Sequence, residues 1–493
     1  MKRLSGMDAT FLYLETPNVH MHVGGVFVFD GNGLDRSPYE AVYELIESRL
    51  HLLPPFRRRL VQVPFGLHHP LWIEDPDFQL SYHLRRAALP SPGGERELAQ
   101  FSAEVMSRQL DRSKPLWETY VIEGLRDGMF AFLTKTHHSA IDGVSGAELA
   151  VNLLDLTPEV VDIPPPANEW KPDRIPSDYE LVRHAISSLA KQPTSAIKAL
   201  RRTLEVTLSV RERNRQPGIT PPPGPFSAPK TSLNGTISPH RRVGFADVSL
   251  DDVKFIKNTF GGTVNDVVLA ISSGALRSYL SAKDETPEES LVAAIPVSVR
   301  TQDEKGTLGN KISAMFASLC TTIDNPVKRY KAICEGTKSA KEQDHAVGAS
   351  SLTEWAEFAS PAIAGRAARL MSNMKVFDKV RPLFNINISN VPGPNFPLYS
   401  IGSRMVAMYP LGPIMDGIGL NITVMSYMGR MYFGLLACWE TVPDLDSVSN
   451  YLLGSLEELK KEAEKVAGKA RRSQTQAKAK VAGSKDTHSQ SVA

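Results

Sequence analysis

Residues 134–146 read Thr-Lys-Thr-His-His-Ser-Ala-Ile-Asp-Gly-Val-Ser-Gly, and residues 129–136, which lead into the histidines, are strand-like. A strand therefore delivers His137 and His138 to its end, small residues follow, and a helix is expected from about Gly143. That succession belongs to a mixed α/β fold. Adjacent strand residues point to opposite faces, so the two histidines have different roles. One can face a cavity while the other packs inside. Asp142 lies four residues beyond His138, and Gly143 permits a tight backbone.

An imidazole at a strand end suits general-base work, because its unperturbed pKa of about 6.5 lets it accept a proton near neutrality. The chain has no GxSxG nucleophile elbow. The economical chemistry is then direct transfer, in which His138 deprotonates an alcohol that attacks a thioester. Two other readings stay open at this level. His, His and Asp could ligate zinc, although adjacent histidines are poorly spaced for one ion and no HExxH accompanies them. A purely structural pair is the other. His68 and His69, in GLHHPLW, have no Asp-Gly after them and read as a packing or surface pair.

Residues 22–30 (HVGGVFVFD) read as another strand, and 38–50 and 95–110 have the apolar spacing of helices. Two proline-rich stretches, at 163–176 and 216–229, mark boundaries that neither a helix nor a central strand tolerates. Between them, at about 179–214, one helical face is apolar. The other holds Lys198, Arg201, Arg202, Arg211, Arg213 and Arg215. Such a helix either packs on its own protein or lies on an anionic membrane. A second mixed region follows, with capping patterns at 249–252 and 263–266. Its strands are expected at 291–298, 312–319, 384–389 and 418–437, the last broken by a turn at 428–430. The Lys/Ala/Ser/Gln-rich tail reads as disordered. The expected division is 1–165, 166–238 (linker), 239–466 and 467–493.

The 493 residues are 42% hydrophobic and 22% charged, the balance of a globular chain of about two domains. From residue 460 onward nine Lys/Arg face three acidic residues, so the tail is basic while the body is slightly acidic and has no nucleic-acid character. Cys320, Cys334 and Cys438 form neither a disulfide framework nor a zinc motif. The opening MKRLSGMDATFLYLE lacks a signal-peptide core, and no run approaches the roughly 18–20 apolar residues of a membrane span. A cytoplasmic location is expected, with any membrane contact made from the surface.

HHSAIDG at 137–143 fits HHxxxDG, the motif of the chloramphenicol-acetyltransferase-like superfamily of CoA-dependent acyltransferases, which includes nonribosomal peptide condensation domains. Five further segments narrow the resemblance: LSGMDATFLYLE (4–15), PLW (115–117), Asn265-Asp266, SNVPGP (389–394) and YPLGPIMDGIGLNITVMSYMG (409–429). In this order they resemble the bacterial wax ester synthase/diacylglycerol acyltransferase family over nearly the whole chain, linker and tail excepted. The resemblance implies two acetyltransferase-like α/β domains with an active-site channel at their interface. It also implies transfer of a fatty acyl group from acyl-CoA to diacylglycerol or a long-chain alcohol. Acyl-CoA is then a co-substrate, with no bound cofactor or metal, and a membrane or lipid-droplet surface is a candidate partner.

The same resemblance makes His138 the base and gives His137 and Gly143 structural places. Asp142 holds the loop through a salt bridge, for which Arg300 is a candidate partner. Asn265 is the first candidate to contact the oxyanion, although a short polar residue is ordinary in the first turn of a capped helix. Asp266 reads as a cap and dipole partner. Asn421 and Thr423 share a strand face, opposite Ser426, and are candidates for further polar contacts. Pro115, Leu116 and Trp117, and residues 390–394, read as structural or pocket-shaping. Lys305 and Lys311 are candidates for the CoA phosphates. Two rivals remain: a condensation-like enzyme that takes its acyl group from a carrier protein, and a non-catalytic lipid-body protein.

Overall fold

Alternating apolar positions and β-branched or aromatic residues build the strands of both halves. The computed structural model describes residues 2–140, 154–161, 163–166, 170–189, 223, 226–298, 312–347 and 361–486. The first half supplies β1 (Lys2–Arg3), β2 (His22–Asp30), β3 (Arg58–Val61), β4 (Leu71–Glu74), β5 (Leu84–Ala88), β6 (Trp117–Glu123) and β7 (Met129–His137). The second half supplies β8 (Arg241–Ser249), β9 (Val292–Ser298), β10 (Ile312–Ser318), β11 (Ile386–Val391) and β12 (Tyr399–Ser400). It continues with β13 (Ser403–Leu411), β14 (Leu420–Tyr427) and β15 (Arg430–Cys438). The expected strands at 22–30, 129–136 and 418–437 fall where the sequence puts them.

Two six-stranded sheets result, ordered β12-β13-β2-β7-β6-β5 and β10-β9-β11-β14-β15-β8, beside a small sheet β1-β4-β3. Residues 399–411 lie in the second unit of the expected division, and β13 pairs antiparallel with β2 along the edge opposite the one that β7 takes. The two sheets meet where β13 passes β15. Gly434 sits there because a Cβ would overlap the Pro410 carbonyl. The halves are therefore threaded through one another.

In the second half the helix Val264–Ser281 is buried along most of its length and packs against the helix Leu445–Asp486. Leu452, Leu456, Leu459 and Ala463 of the latter are buried at helical spacing. The helix continues to Asp486, which corrects the expected disorder from residue 467 for the described part of the tail. Ala, Lys, Arg and Gln are all strong helix formers, so the helix propagates past its last core contact. Of the basic linker, the helix Asp178–Leu189 is described, whereas Lys198 through Arg215 lie outside the described residues. No helix among the described residues is long and apolar enough to cross a membrane.

Candidate active site

The site begins with the first helix, Gly6–Leu14. Ser5 caps it, accepting the Asp8 backbone N–H at 3.1 Å and donating its hydroxyl to Asp8 Oδ2 at 2.6 Å. Glu15 closes the helix at its C-cap. This short element reaches both residues of the 137–138 pair.

His137 is the last residue of β7 and is buried. Its Nδ1 accepts the backbone N–H of Ser139 at 3.1 Å and lies 2.7 Å from the Ser139 hydroxyl. A ring nitrogen that accepts has no proton of its own, so the proton sits on Nε2, which faces Glu15 Oε2 at 3.3 Å. Arg112 completes the arrangement, with Nε 2.7 Å from Glu15 Oε2 and Nη2 on the same oxygen. Burial pushes the Glu15 carboxyl up, but the His137 ring 3.3 Å away and the charge of Arg112 outweigh it and hold the group below its usual range. Burial likewise lowers His137 despite the opposing pull of Glu15. His137 is thus neutral, with a fixed tautomer, and locks the turn that follows.

His138 is the first residue of that turn and stays partly exposed. Its backbone N–H donates to Met21 O at 2.9 Å, just ahead of β2. Its ring stacks on Phe11, with centroids 4.0 Å apart and planes at 22°. Stacking engages the ring face, whereas proton transfer uses the in-plane nitrogens, so this contact orients the imidazole without using its chemistry. Phe11 also packs against a cluster formed by Val19, Met21, Ile237, Ile414 and Cys438. Both halves of the chain therefore meet at the His138 turn.

Other residues fall into supporting places. The backbone N–H of His137 donates to Leu116 O at 3.0 Å, and the Trp117 indole donates to Phe56 O at 2.8 Å inside an aromatic stack. PLW is a brace for β7. Asp266 is buried; its Oδ2 accepts the N–H and hydroxyl of Thr263, both at 2.7 Å, and its Oδ1 accepts the Thr337 hydroxyl at 2.6 Å. It closes a reciprocal capping box. Asn265, beside it, stays partly exposed.

Asn421 and Thr423 do share a face, joined at 2.7 Å, but Asn421 also donates to Pro413 O at 3.0 Å and ties down the loop before β14. Ser426 accepts the Gly393 N–H at 3.1 Å and secures the 390–394 turn. His68 and His69 are both buried, and the Tyr13 hydroxyl lies 2.6 Å from His69 Nδ1. Asp142, Gly143, Arg300, Lys305 and Lys311 lie outside the described residues.

Sequence reading passed over Glu15, Arg112 and Phe11 individually. Glu15 and Phe11 belong to the 4–15 segment, whose helix cap was a usable signal. Arg112 had none.

Two family models match the chain: the wax ester synthase/diacylglycerol acyltransferase catalytic domain over residues 4–268, and the corresponding C-terminal domain over 308–460. A putative diacylglycerol O-acyltransferase of Mycobacterium tuberculosis is 37% identical over 464 residues, covering 93% of this chain and 90% of the relative. A probable diacylglycerol O-acyltransferase of the same organism is 34% identical, covering 92% and 97%. Among solved structures, the wax ester synthase/diacylglycerol acyltransferase from Marinobacter aquaeolei is similar at 31% identity and a TM-score of 0.66, covering 94% of this chain and all of that one. The starter condensation domain of rhizomide synthetase shares the fold at 12% identity and a TM-score of 0.55, with 94% of each chain covered.

Proposed function

Because the chain belongs to the wax ester synthase/diacylglycerol acyltransferase family, we propose that it moves a long-chain acyl group from acyl-CoA to diacylglycerol, with His138 as the general base. The observation that supports this best is the division between the two histidines. His137 is locked by Glu15 and Ser139, and His138 is left partly exposed on the Phe11 ring.

In the reaction an in-plane nitrogen of His138 takes the hydroxyl proton of the acceptor while its oxygen attacks the thioester carbonyl. The tetrahedral intermediate collapses with cleavage of the C–S bond. The imidazolium returns its proton to the departing thiolate, giving triacylglycerol and free CoA. Asn265 serves as a hydrogen-bond donor to the oxyanion, a contribution of roughly 3–4 kcal/mol for a well-placed donor. Acyl-CoA acts as a co-substrate, and no resident cofactor or metal takes part. Long-chain alcohols are second acceptors. The enzyme works in the cytoplasm at a membrane or lipid-droplet surface, where its acceptor is concentrated.

The test is purified protein with palmitoyl-CoA and a panel of diacylglycerol, hexadecanol and monoacylglycerol, following free CoA and lipid ester beside His138→Ala. Ester formation that falls by about 10²-fold or more in the variant is the expected result. A folded protein that releases no CoA with any acceptor overturns the acyl-CoA reading and redirects it to carrier-bound donors.

A further inference from the structure

The tip Pro64–Gly66 touches both the helix Asp178–Leu189 and the helix Pro361–Asn373. The latter helix also packs on Gly6–Leu14, the element that holds Phe11 against His138. This corner of the molecule presents large apolar side chains to solvent. Phe65 is 87% exposed at φ +58°, a conformation costly for a bulky residue. Leu370 and Met374 are each 59% exposed, Met371 41% and Tyr179 76%. Folding gains nothing from presenting them in this way.

Cations accompany these side chains. Arg366, Arg369, Lys375 and Lys379 are exposed on or just after the helix Pro361–Asn373. Residues 361–384 contain five basic residues and a single acidic one, Asp378. Apolar tips set among cations match a lipid surface with anionic head groups. A second copy of the chain would bring the same cations against them, which opposes self-association through this face.

We propose that this face docks on an anionic lipid surface, with Phe65, Leu370 and Met374 inserted among the acyl chains. The inference deepens the acyltransferase reading and rests on it for what the surface supplies. The docked helix lies one helix away from His138, so the acceptor enters from the lipid beside the base.

The full-length protein is sedimented with vesicles of phosphatidylcholine alone and of phosphatidylcholine mixed with phosphatidylglycerol. Binding to the mixed vesicles is expected to weaken by about tenfold or more in the Phe65→Ser/Leu370→Ser/Met374→Ser variant. Arg366→Gln/Lys375→Gln/Lys379→Gln is expected to lose the dependence on phosphatidylglycerol and on salt. Both variants keep wild-type turnover on detergent-dispersed hexadecanol, which reports that they are folded, and lose turnover on vesicle-embedded diacylglycerol. Undiminished binding by the apolar variant overturns the proposal, as does absence of wild-type binding to either vesicle. A dimer that the same substitutions dissociate, without vesicle binding, overturns it in favour of self-association. Binding that falls as expected in a protein that releases no CoA from palmitoyl-CoA keeps the docking face and removes the acyltransferase reading.

Discussion

The His137–His138 turn and the Asn265–Asp266 turn sit in opposite halves of the chain and are built on one plan in reversed order. At the end of β7 the first residue is the buried anchor and the second is partly exposed. At the start of the helix Val264–Ser281 the first is partly exposed and the second, Asp266, is the buried anchor, with three short hydrogen bonds to its carboxylate. On the proposed reading the side chain that meets the substrate is not spent on holding the backbone, and its neighbour does the holding. His68 and His69 show the contrast, since both are buried and neither is presented.

The largest way to break this comparison is at the presented histidine. His138→Ala is expected to lower turnover by about 10²–10⁴-fold while lowering stability only by the lost Phe11 stack, roughly 0.5–1.5 kcal/mol. His69→Ala, which removes the partner of Tyr13, should cost about 1–3 kcal/mol of stability and leave turnover nearly intact. Parallel turnover and melting measurements on the two variants decide it; equal losses of turnover would remove the distinction between the pairs.

The second turn should split the same way. Asn265→Ala is expected to reduce kcat by about 10²–10³-fold without destabilising the fold. Asp266→Asn should lower stability by about 1–3 kcal/mol, because a capping carboxylate and the Thr337 hydrogen bond are both disturbed. Denaturant melts combined with steady-state kinetics separate these, and an Asn265 effect confined to stability would leave it a helix-turn residue.

A smaller effect is expected at the anchor of His137. Glu15→Ala should lower kcat by about 10- to 10²-fold with KM for acyl-CoA unchanged, since a displaced turn misplaces the proposed base. Glu15→Gln, which keeps an acceptor oxygen for Nε2–H, should recover most of the loss. Failure of that recovery would shift weight from hydrogen-bond geometry to the charge of Glu15.

Acid should test the buried histidines most gently. Burial lowers His20 to about 4, His22 well below the ordinary 6.5, and His137 in the same direction. Each stays neutral when folded and takes a proton near pH 6.5 when unfolded. The unfolded chain therefore binds more protons as pH falls through 6.5, and stability declines by up to about 1.4 kcal/mol per pH unit for each such group. His22, whose two ring nitrogens are buried without a hydrogen-bond partner among the described residues, is the residue to change. His22→Leu should flatten the loss of melting temperature between pH 6.5 and the acid range, and an unaltered slope would exonerate it.

Much of this was legible in the chain. Period-2 apolar runs located β2 and β7, and the Thr263 cap located the helix that holds Asn265, because these depend on neighbours in sequence. What was not legible depends on partners far away. Arg112 meets Glu15 across 97 positions, and nothing around either residue announces the pairing. Residues 403–411 form a strand that the sequence pattern did not mark, and its partner, β2, lies in the other half of the chain. The tail misled for a different reason. A composition poor in large apolar residues argues against a core, yet the same alanines and lysines extend a helix already nucleated by one.

The placement of β13 has a consequence for synthesis. In synthesis β2 is complete at Asp30, but the strand that covers its free edge ends only at Leu411. Throughout that interval the nascent chain bears the open edge of residues 24–29, whose backbone groups invite pairing with another copy. The first half produced alone leaves that edge open, so versions of the chain that stop before β13 should aggregate unless residues 403–411 are supplied in trans.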